Sequence, residues 1–217
     1  MARPRLRIDK PAAQRDKTMT QLDAGLTALL ARAGAGNGRK PPVERWNPPF
    51  CGDLDMRIAV DGTWHYMGSP IGREALVRLF ASVLRRDEDG AHYLVTPVEK
   101  VRIRVDDAPF LAVELHAEGE SAAQRLTLRT SVGDVVTAGP EHPLRFVVEP
   151  ETGGLKPYVL IRGRLEALLS RPLLYELAAL FDVRNGQTGV WSEGTFFALP
   201  PEALTVLSED TTGETAA

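Results

Sequence analysis

The side chains best able to do chemistry are concentrated in the segment 46–71, which holds two of the three tryptophans, the only cysteine and one of the four histidines. Alternation along an extended strand would place Asp53, Asp55 and Arg57 on one face. Two carboxylates there, with His65 across a hairpin, could bind a divalent cation and support a metal-dependent hydrolase. The simpler interpretation is a solvated face on which the carboxylates pair with Arg57. We favour it and predict no metal site.

Signatures of catalysis are missing from the rest of the sequence. No serine lies in a GxSxG or SxxK pattern, and no two histidines have the HxxxH or HExxH spacing of a helical zinc site. Cys51 has no adjacent histidine or lysine to activate its thiol, so we expect a small buried hydrophobic residue. A single cysteine also agrees with a reducing, cytoplasmic location. We therefore predict no catalytic residue and no cofactor.

Cations and flat aromatic side chains would suit a nucleotide-like ligand, because cations bind phosphate and aromatic rings stack on bases. A helix start at Ser69, with Pro70 in its first position and Arg73 in its first turn, would add backbone N–H groups for an anion. Each candidate has an ordinary alternative, since alternating cations are typical of half-exposed strands and tryptophans are usually core residues. The predicted ligand-binding residues are Arg57, Trp64, Tyr66, Arg73, Lys100, Arg162 and Trp191.

A β-hairpin should carry the first of these candidates. Asp61-Gly62 is typical of a tight turn with positive φ, and polar and apolar residues alternate on both sides of it. Trp64 and Tyr66 continue the alternation into the second strand. The core-facing residues of the first strand are predicted to be Leu54, Met56, Ile58 and Val60.

The remaining elements also follow from hydrophobic periodicity. Leucines at helical spacing predict three helices, and period-two alternation predicts an antiparallel meander of about five or six strands. A last strand or hairpin should follow the third helix. The predicted segments are helices over 20–33, 71–86 and 165–181, strands between 92 and 163, and a hairpin over 190–199.

Composition is that of an ordinary globular chain, with 43% hydrophobic and 25% charged residues and no apolar run long enough for a membrane span. A net charge of −3 gives no general attraction to nucleic acid or anionic membranes, so we predict neither as a partner. The predicted organisation is a disordered basic arm over 1–19, a helix over 20–33, a linker over 34–45, an N-terminal subdomain over 46–88, a C-terminal subdomain over 89–207 and a disordered tail over 208–217.

Six sequence blocks between residues 46 and 199 carry a family resemblance. In order they are NPPFCGDLDMRI, DGTWHYMGSPIGREALVRLF, YLVTPVEKVRIRV, AGPEHPLRF, PYVLIRGRLEALLSRPLLYEL and GVWSEGTFFAL. They resemble the signature blocks of the bacterial family called domain of unknown function 1285. The resemblance implies two duplicated subdomains, the C-terminal one superficially like a pleckstrin-homology domain, and binding of a nucleotide-like ligand between them in signal transduction. A Gly-x-Trp pattern repeated at Trp64 and Trp191 agrees with duplication.

These observations together predict an α+β protein of two related subdomains, each with antiparallel strands packed around a helix. The leading hypothesis is a non-enzymatic ligand-binding or signal-transduction protein that binds a nucleotide-like anion between the subdomains. A signalling protein would be a further partner. The alternatives are the metal-dependent hydrolase and a protein-interaction scaffold that binds no small ligand.

Overall fold

The computed structural model describes residues 40–203, which are mostly β-sheet with two α-helices. The predicted arm over 1–19, helix over 20–33 and tail over 208–217 lie outside this range, as does the first half of the linker over 34–45. Neither helix within the described range is long and apolar enough to cross a membrane.

Three sheets make up the described chain, two of six strands and one of three. The first sheet contains β1 (Phe50–Ile58), β2 (Trp64–Tyr66), β3 (Ser69–Pro70), β4 (Leu84–Arg86), β5 (His92–Val95) and β6 (Lys100–Val105), with α1 (Glu74–Ser82) between β3 and β4. The second contains β7 (Phe110–Glu118), β8 (Arg125–Thr130), β9 (Val135–Thr137), β10 (Leu144–Val148), β11 (Leu155–Arg162) and β12 (Leu165–Leu169), followed by α2 (Arg171–Ala178). The third contains β13 (Asp182–Arg184), β14 (Gln187–Ser192) and β15 (Thr195–Ala198).

The two six-stranded sheets share one topology. The first has the strand order β3-β2-β1-β6-β5-β4, and the second, taken from its other edge, has the order β9-β8-β7-β12-β11-β10. In each sheet two antiparallel three-stranded meanders are joined by one parallel pair, β1 with β6 or β7 with β12. Strands that pair in parallel need a long connection between them. Here the other four strands of the sheet form that connection, so the first and last strands of each half meet at the centre of the sheet. The described chain therefore consists of two similar halves, each built on one such sheet.

The likeness of the halves lies in strand order and not in the tryptophan pattern. Strand β8 is the counterpart of β2, which carries Trp64, but Trp191 lies in β14 of the third sheet. The helices also differ in position, because α1 lies inside the first half and α2 follows the last strand of the second. The repeated Gly-x-Trp pattern thus does not relate equivalent strands.

The hairpin predicted around Asp61-Gly62 is confirmed. Ile58 pairs with Trp64, and Gly62 has the positive φ of 80° that the turn requires. A Cβ atom at Gly62 would lie 3.2 Å from Cβ of Leu111, so this turn also packs closely against the second half. Val60 is 49% exposed, and its predicted place in the core is wrong because it lies beyond the end of β1 at the turn.

The first helix begins later than predicted. Ser69 and Pro70 form the short strand β3, because the chain reverses at Met67 and Gly68, both with positive φ, and Ser69 then pairs with Tyr66. The cap of α1 is Arg73, without a side-chain capping bond. The predicted anion site at a helix start on Ser69 is therefore wrong.

The segment Leu165–Leu169 is a strand and not the start of the third helix. It forms β12, pairs in parallel with β7 through Ala167 and Phe110, and is buried on both faces. Because a short apolar run buried on both faces lacks alternation, it cannot be told from a helix by periodicity. The helix itself begins after Ser170, with Pro172 in its first turn.

The change from one sheet to the other falls between Val105 and Phe110. Strands β5 and β6 pair with each other, and β6 pairs with β1, so the predicted run of strands over 92–163 is divided between the two sheets. This position is later than the predicted subdomain boundary between 88 and 89. The parallel pairing of β1 with β6 is the cause, because nothing in the local sequence specifies it.

Replacing Trp64 with alanine should destabilise the first half strongly. Trp64 is 2% exposed and stacks on Phe80 of α1 with 6.2 Å between ring centroids. We expect Trp64→Ala to lower the free energy of unfolding by about 3–5 kcal/mol, because it leaves a large core cavity. Urea denaturation at pH 7 would measure this, with Val183→Ala as the control at a residue that is 65% exposed. A loss as small as that of the control would contradict the core assignment.

A second prediction concerns His92, whose Nε2 atom is buried and has no hydrogen-bond partner. Burial, together with the nearby charge of Arg86, lowers the pKa of His92 to about 4. The unfolded chain binds the proton first, so this residue should reduce stability as pH falls from about 6.5 to 4. We expect His92→Gln to lose less stability over that interval than the wild type. His116→Gln is the matched control, at an exposed histidine, and should follow the wild type.

Candidate functional site

An open groove of about 450 Å³ lies where the two halves meet. The first half contributes the segment 44–47, Arg85 and the turn 87–89 between β4 and β5, and the second half contributes Arg164 from the turn between β11 and β12. Segment 43–45 is a single 3-10 turn that lies beside β4. The groove thus depends on two loops and one short segment, each of which must be held in place.

Arg85 holds the first-half side of the groove together. Its guanidinium donates to the carbonyl oxygens of Val43 and Trp46 at 2.8 and 2.7 Å, and to the Asp87 carboxylate at 2.5 and 3.2 Å. Arg85 is only 7% exposed, although a charge is rarely buried unless it is fully paired. Lys100 adds a second cation, with Nζ 3.0 Å from Asp87. One buried cation therefore fixes both the segment 43–46 and the adjoining turn.

The turn after β4 carries three consecutive carboxylates, and each has its own partner. Burial would raise the pKa of Asp87, but hydrogen bonds from Arg85 and Lys100 outweigh it and leave that pKa below its usual value. Asp89 accepts from the Tyr93 hydroxyl at 2.6 Å and from the backbone N–H of Ala91, and these bonds lower its pKa. The third carboxylate, Glu88, pairs with Arg164 across the groove.

Arg164 brings the second half to the groove through a tight turn. The preceding residue, Gly163, has a φ of +52°, and a Cβ there would lie 2.6 Å from Oε1 of Glu44. The positive φ favours glycine at this position, and the turn packs directly on the 3-10 segment. The contact of Arg164 Nη2 with Glu88 Oε1 is 2.9 Å, and both side chains are largely exposed.

Trp46 and Arg45 supply the groove with the two features that a ring-bearing anion needs. Trp46 is half-buried, and its backbone carbonyl is held by Arg85. The Arg45 side chain is exposed and makes no hydrogen bond, ion pair or ring contact with any other residue between 40 and 203. The groove lining therefore includes a half-buried tryptophan and, next to it in the chain, an arginine whose side chain has no partner among residues 40–203.

None of the seven predicted ligand-binding residues lines this groove. Lys100 comes nearest, through its ion pair with Asp87, and it also lies over the Tyr93 ring. Trp64 is in the core, and Tyr66 is half-buried in β2. Arg73 is exposed at the start of α1.

Arg57 lies on the exposed face of the first sheet, where cations and carboxylates do form ion pairs, but with other partners than the expected pairing of Arg57 with Asp53 and Asp55. Arg57 forms an ion pair with Asp106, and Arg102 binds Asp53 through two hydrogen bonds of 2.8 and 2.7 Å. Within residues 40–203 no group of three or more histidine, cysteine or acidic side chains could hold a metal ion. Asp53, Asp55 and His65 do not form such a group. Cys51 is exposed, contrary to expectation, because it points away from the core near the start of β1.

Arg162 connects the halves at a different place. It binds Asp134 at 2.6 Å and donates to the carbonyl oxygen of Ala81, near the end of α1, at 2.5 Å. Its guanidinium lies 4.8 Å from the ring centroid of Phe110. Burial lowers its pKa to about 10, so the group is charged at pH 7. Because its partners come from both halves, Arg162 ties them together at α1.

Trp191 lies in the third sheet, away from the groove lining. Its Nε1 donates to Asp182 at 3.2 Å, and Arg184 lies 4.8 Å above its ring. Phe196 packs beside it with 5.1 Å between ring centroids. The side-chain contacts of Trp191 are thus local to the third sheet, while its backbone carbonyl accepts a hydrogen bond from Gln124 at 2.7 Å.

The sequence contains one signal for the groove that went unused. Arg45 and Trp46 adjoin each other at the end of a proline-rich segment, where they were assigned to a linker and its border. An aromatic residue beside a cation in an extended segment suits a ligand contact. Arg85 and Arg164 gave no such signal, because their role depends on contacts with residues 39 and 76 positions away.

The fold and the groove define a two-half protein, mostly β-sheet, with a polar groove between its halves, and the sequence comparisons name its family. The N-terminal domain of the domain of unknown function DUF1285 matches residues 41–108, and the C-terminal domain of the protein of unknown function DUF1285 matches residues 109–199. These matches cover most of the chain. The protein therefore belongs to the DUF1285 family.

Two solved structures are similar to this chain. A DUF1285 family protein from Silicibacter pomeroyi DSS-3 is 52% identical, with a TM-score of 0.75, over 82% of this chain and 97% of that one. A DUF1285 family protein from Shewanella baltica OS155 is 27% identical, with a TM-score of 0.47, over 59% of this chain and 94% of that one. No curated protein matches the sequence.

Removing the Arg85 guanidinium should collapse the first-half side of the groove. We expect Arg85→Met to lower the free energy of unfolding by about 3 kcal/mol, because buried carbonyl oxygens and a carboxylate lose their donor. Arg164→Met is the matched control: its arginine is 55% exposed, and the loss should be about 1 kcal/mol or less. Chemical denaturation of both variants measures the difference. Equal losses would show that Arg85 does not hold the groove.

Proposed function

We propose that this protein is a non-enzymatic ligand-binding protein of signal transduction, and that it binds a small nucleotide-like ligand in the groove between its halves. The observation that carries the proposal is that Trp46 and Arg45 are adjacent in the lining of that groove, and that the Arg45 side chain has no partner among residues 40–203. A tryptophan ring offers a face for a base, and a guanidinium offers paired donors for a phosphate. The Arg45 side chain has no other partner among residues 40–203.

The position of the groove supports a signalling role. Because its lining includes Arg164 of the second half and 44–47 of the first, a bound ligand would contact both halves at once. A ligand that binds one relative arrangement of the halves better than another shifts the population toward it. A protein partner that recognises that arrangement would receive the signal. A cytoplasmic location, expected from the single cysteine, is part of this proposal.

The proposal keeps the pleckstrin-homology-like description of the C-terminal half. Strands β7 to β12 are followed by α2 in the chain, which is the order of a pleckstrin-homology domain, in which a helix follows the strands. Residues Leu173 and Leu177 are the buried positions of that helix. This description supports binding without catalysis, as does the pairing of every carboxylate of the turn 87–89.

Thermal unfolding of the full chain against nucleosides, nucleotides, cyclic dinucleotides and divalent ions tests the proposal. A ligand at 100 times its Kd should stabilise the protein by about 2.7 kcal/mol. Trp46→Leu should abolish the shift, and Arg45→Ala should weaken binding about tenfold, which corresponds to 1.4 kcal/mol. The backbone contact of Trp46 with Arg85 survives both changes.

Arg73→Ala is the matched control for Arg45→Ala. Both arginines are exposed, but Arg73 lies outside the groove lining and was the anion-binding candidate of the sequence. If Arg73→Ala weakens binding and Arg45→Ala does not, the ligand binds elsewhere. If no ligand of the panel raises the melting temperature, the proposal is wrong and the protein-interaction scaffold takes its place.

A further inference from the structure

The groove contains nearly balanced charge, which limits the ligand it can accept. Its lining includes four carboxylates, three of them in the turn 87–89, and three guanidiniums. Lys100 binds Asp87 from the side, so the local balance is four cations against four anions. A ligand of high negative charge therefore meets no excess of positive charge.

The cations of the groove differ in their availability. Arg85 is buried and donates hydrogen bonds to Asp87 and to two backbone carbonyl oxygens. Lys100 lies between Asp87 and the Tyr93 ring. Arg164 is 55% exposed and has a single contact with Glu88, which is itself 87% exposed. An exposed pair of this kind is weak, because water competes for both groups. Among these cations, only Arg164 and Arg45 can therefore turn toward a ligand without breaking the contacts that hold the groove in place.

Two free guanidiniums match the charge of one phosphate group. A phosphate monoester carries about −1.5 to −2 charges at pH 7. A second or third phosphate would find no further free cation among the lining residues and would approach Glu88 and Asp89. The negative charges of Glu88, Asp89 and the additional phosphates would repel one another, and this repulsion disfavours binding of the longer ligand.

From this balance we infer that the groove binds ligands with a single phosphate group and rejects polyphosphates, with Glu88 as the residue that sets this selectivity. Arg164 leaves Glu88 to bind the phosphate, and the Glu88 carboxylate then repels any additional negative charge. The inference rests on the proposed function, since it concerns the same groove. It adds the ligand class and a residue for selectivity.

Calorimetric titration of the full chain with adenosine, AMP, ADP and ATP tests the inference at about 0.15 M salt, where long-range charge effects are screened. We expect AMP to bind at least about tenfold more tightly than ATP. Glu88→Gln should raise the affinity for ATP about tenfold and the affinity for AMP by less, so the preference for AMP over ATP becomes smaller. Arg164→Gln should weaken AMP and leave adenosine nearly unchanged.

Glu118→Gln is the matched control, because it makes the same charge change at an exposed residue of β7 that does not line the groove. An equal effect of Glu118→Gln and Glu88→Gln on ATP would overturn the inference, since net charge alone would explain both. ATP binding as tightly as AMP to the wild type would overturn it as well. If none of the four compounds binds while Arg85 is intact, the proposed function fails and not merely its selectivity.

Discussion

The buried guanidinium of Arg85 is the interaction on which the groove depends. A charge this far from water is tolerated only when carboxylate and carbonyl oxygens surround it, and here those oxygens come from Asp87, Val43 and Trp46. Their common donor fixes a turn and a proline-rich segment that share no regular strand pairing with each other. The first-half side of the groove is therefore shaped by the contacts that pair this one buried charge. Trp46 is held there through its backbone carbonyl.

Contacts between the halves position the second-half side of the groove. Gly163 allows the turn before β12 to lie against Glu44, which brings Arg164 to the groove. Arg162 joins Asp134 to the end of α1. These neighbours in one turn thus serve two different contacts with the first half. Under the proposed function, a ligand in the groove would act on the same turn and so would couple binding to the arrangement of the halves.

Several elements could be predicted because their signals are local. The turn at Asp61-Gly62 needs a residue with positive φ, and the alternation beside it follows from a sheet with one buried face. Asp53 and Arg57 are both exposed, as expected of residues on one face, but their ion-pair partners, Arg102 and Asp106, lie 49 positions away and had no local signal. The errors have equally physical causes. Leu165–Leu169 is buried on both faces and so lost the alternation of a strand, while Ser69-Pro70 has the composition of a helix start but pairs with β2.

The sequence by itself predicted an α+β chain of two related halves, the hairpin, the exposed polar face of the first sheet and the family. Each of these depends on neighbours in the chain or on patterns that recur along it. The tertiary structure alone decided which strands pair in parallel at the centre of each sheet, and which arginines are buried. It also decided that Arg45, Trp46 and Arg164 share a groove. These features depend on contacts between residues far apart in the chain, and a local sequence pattern does not show which distant residues will be in contact.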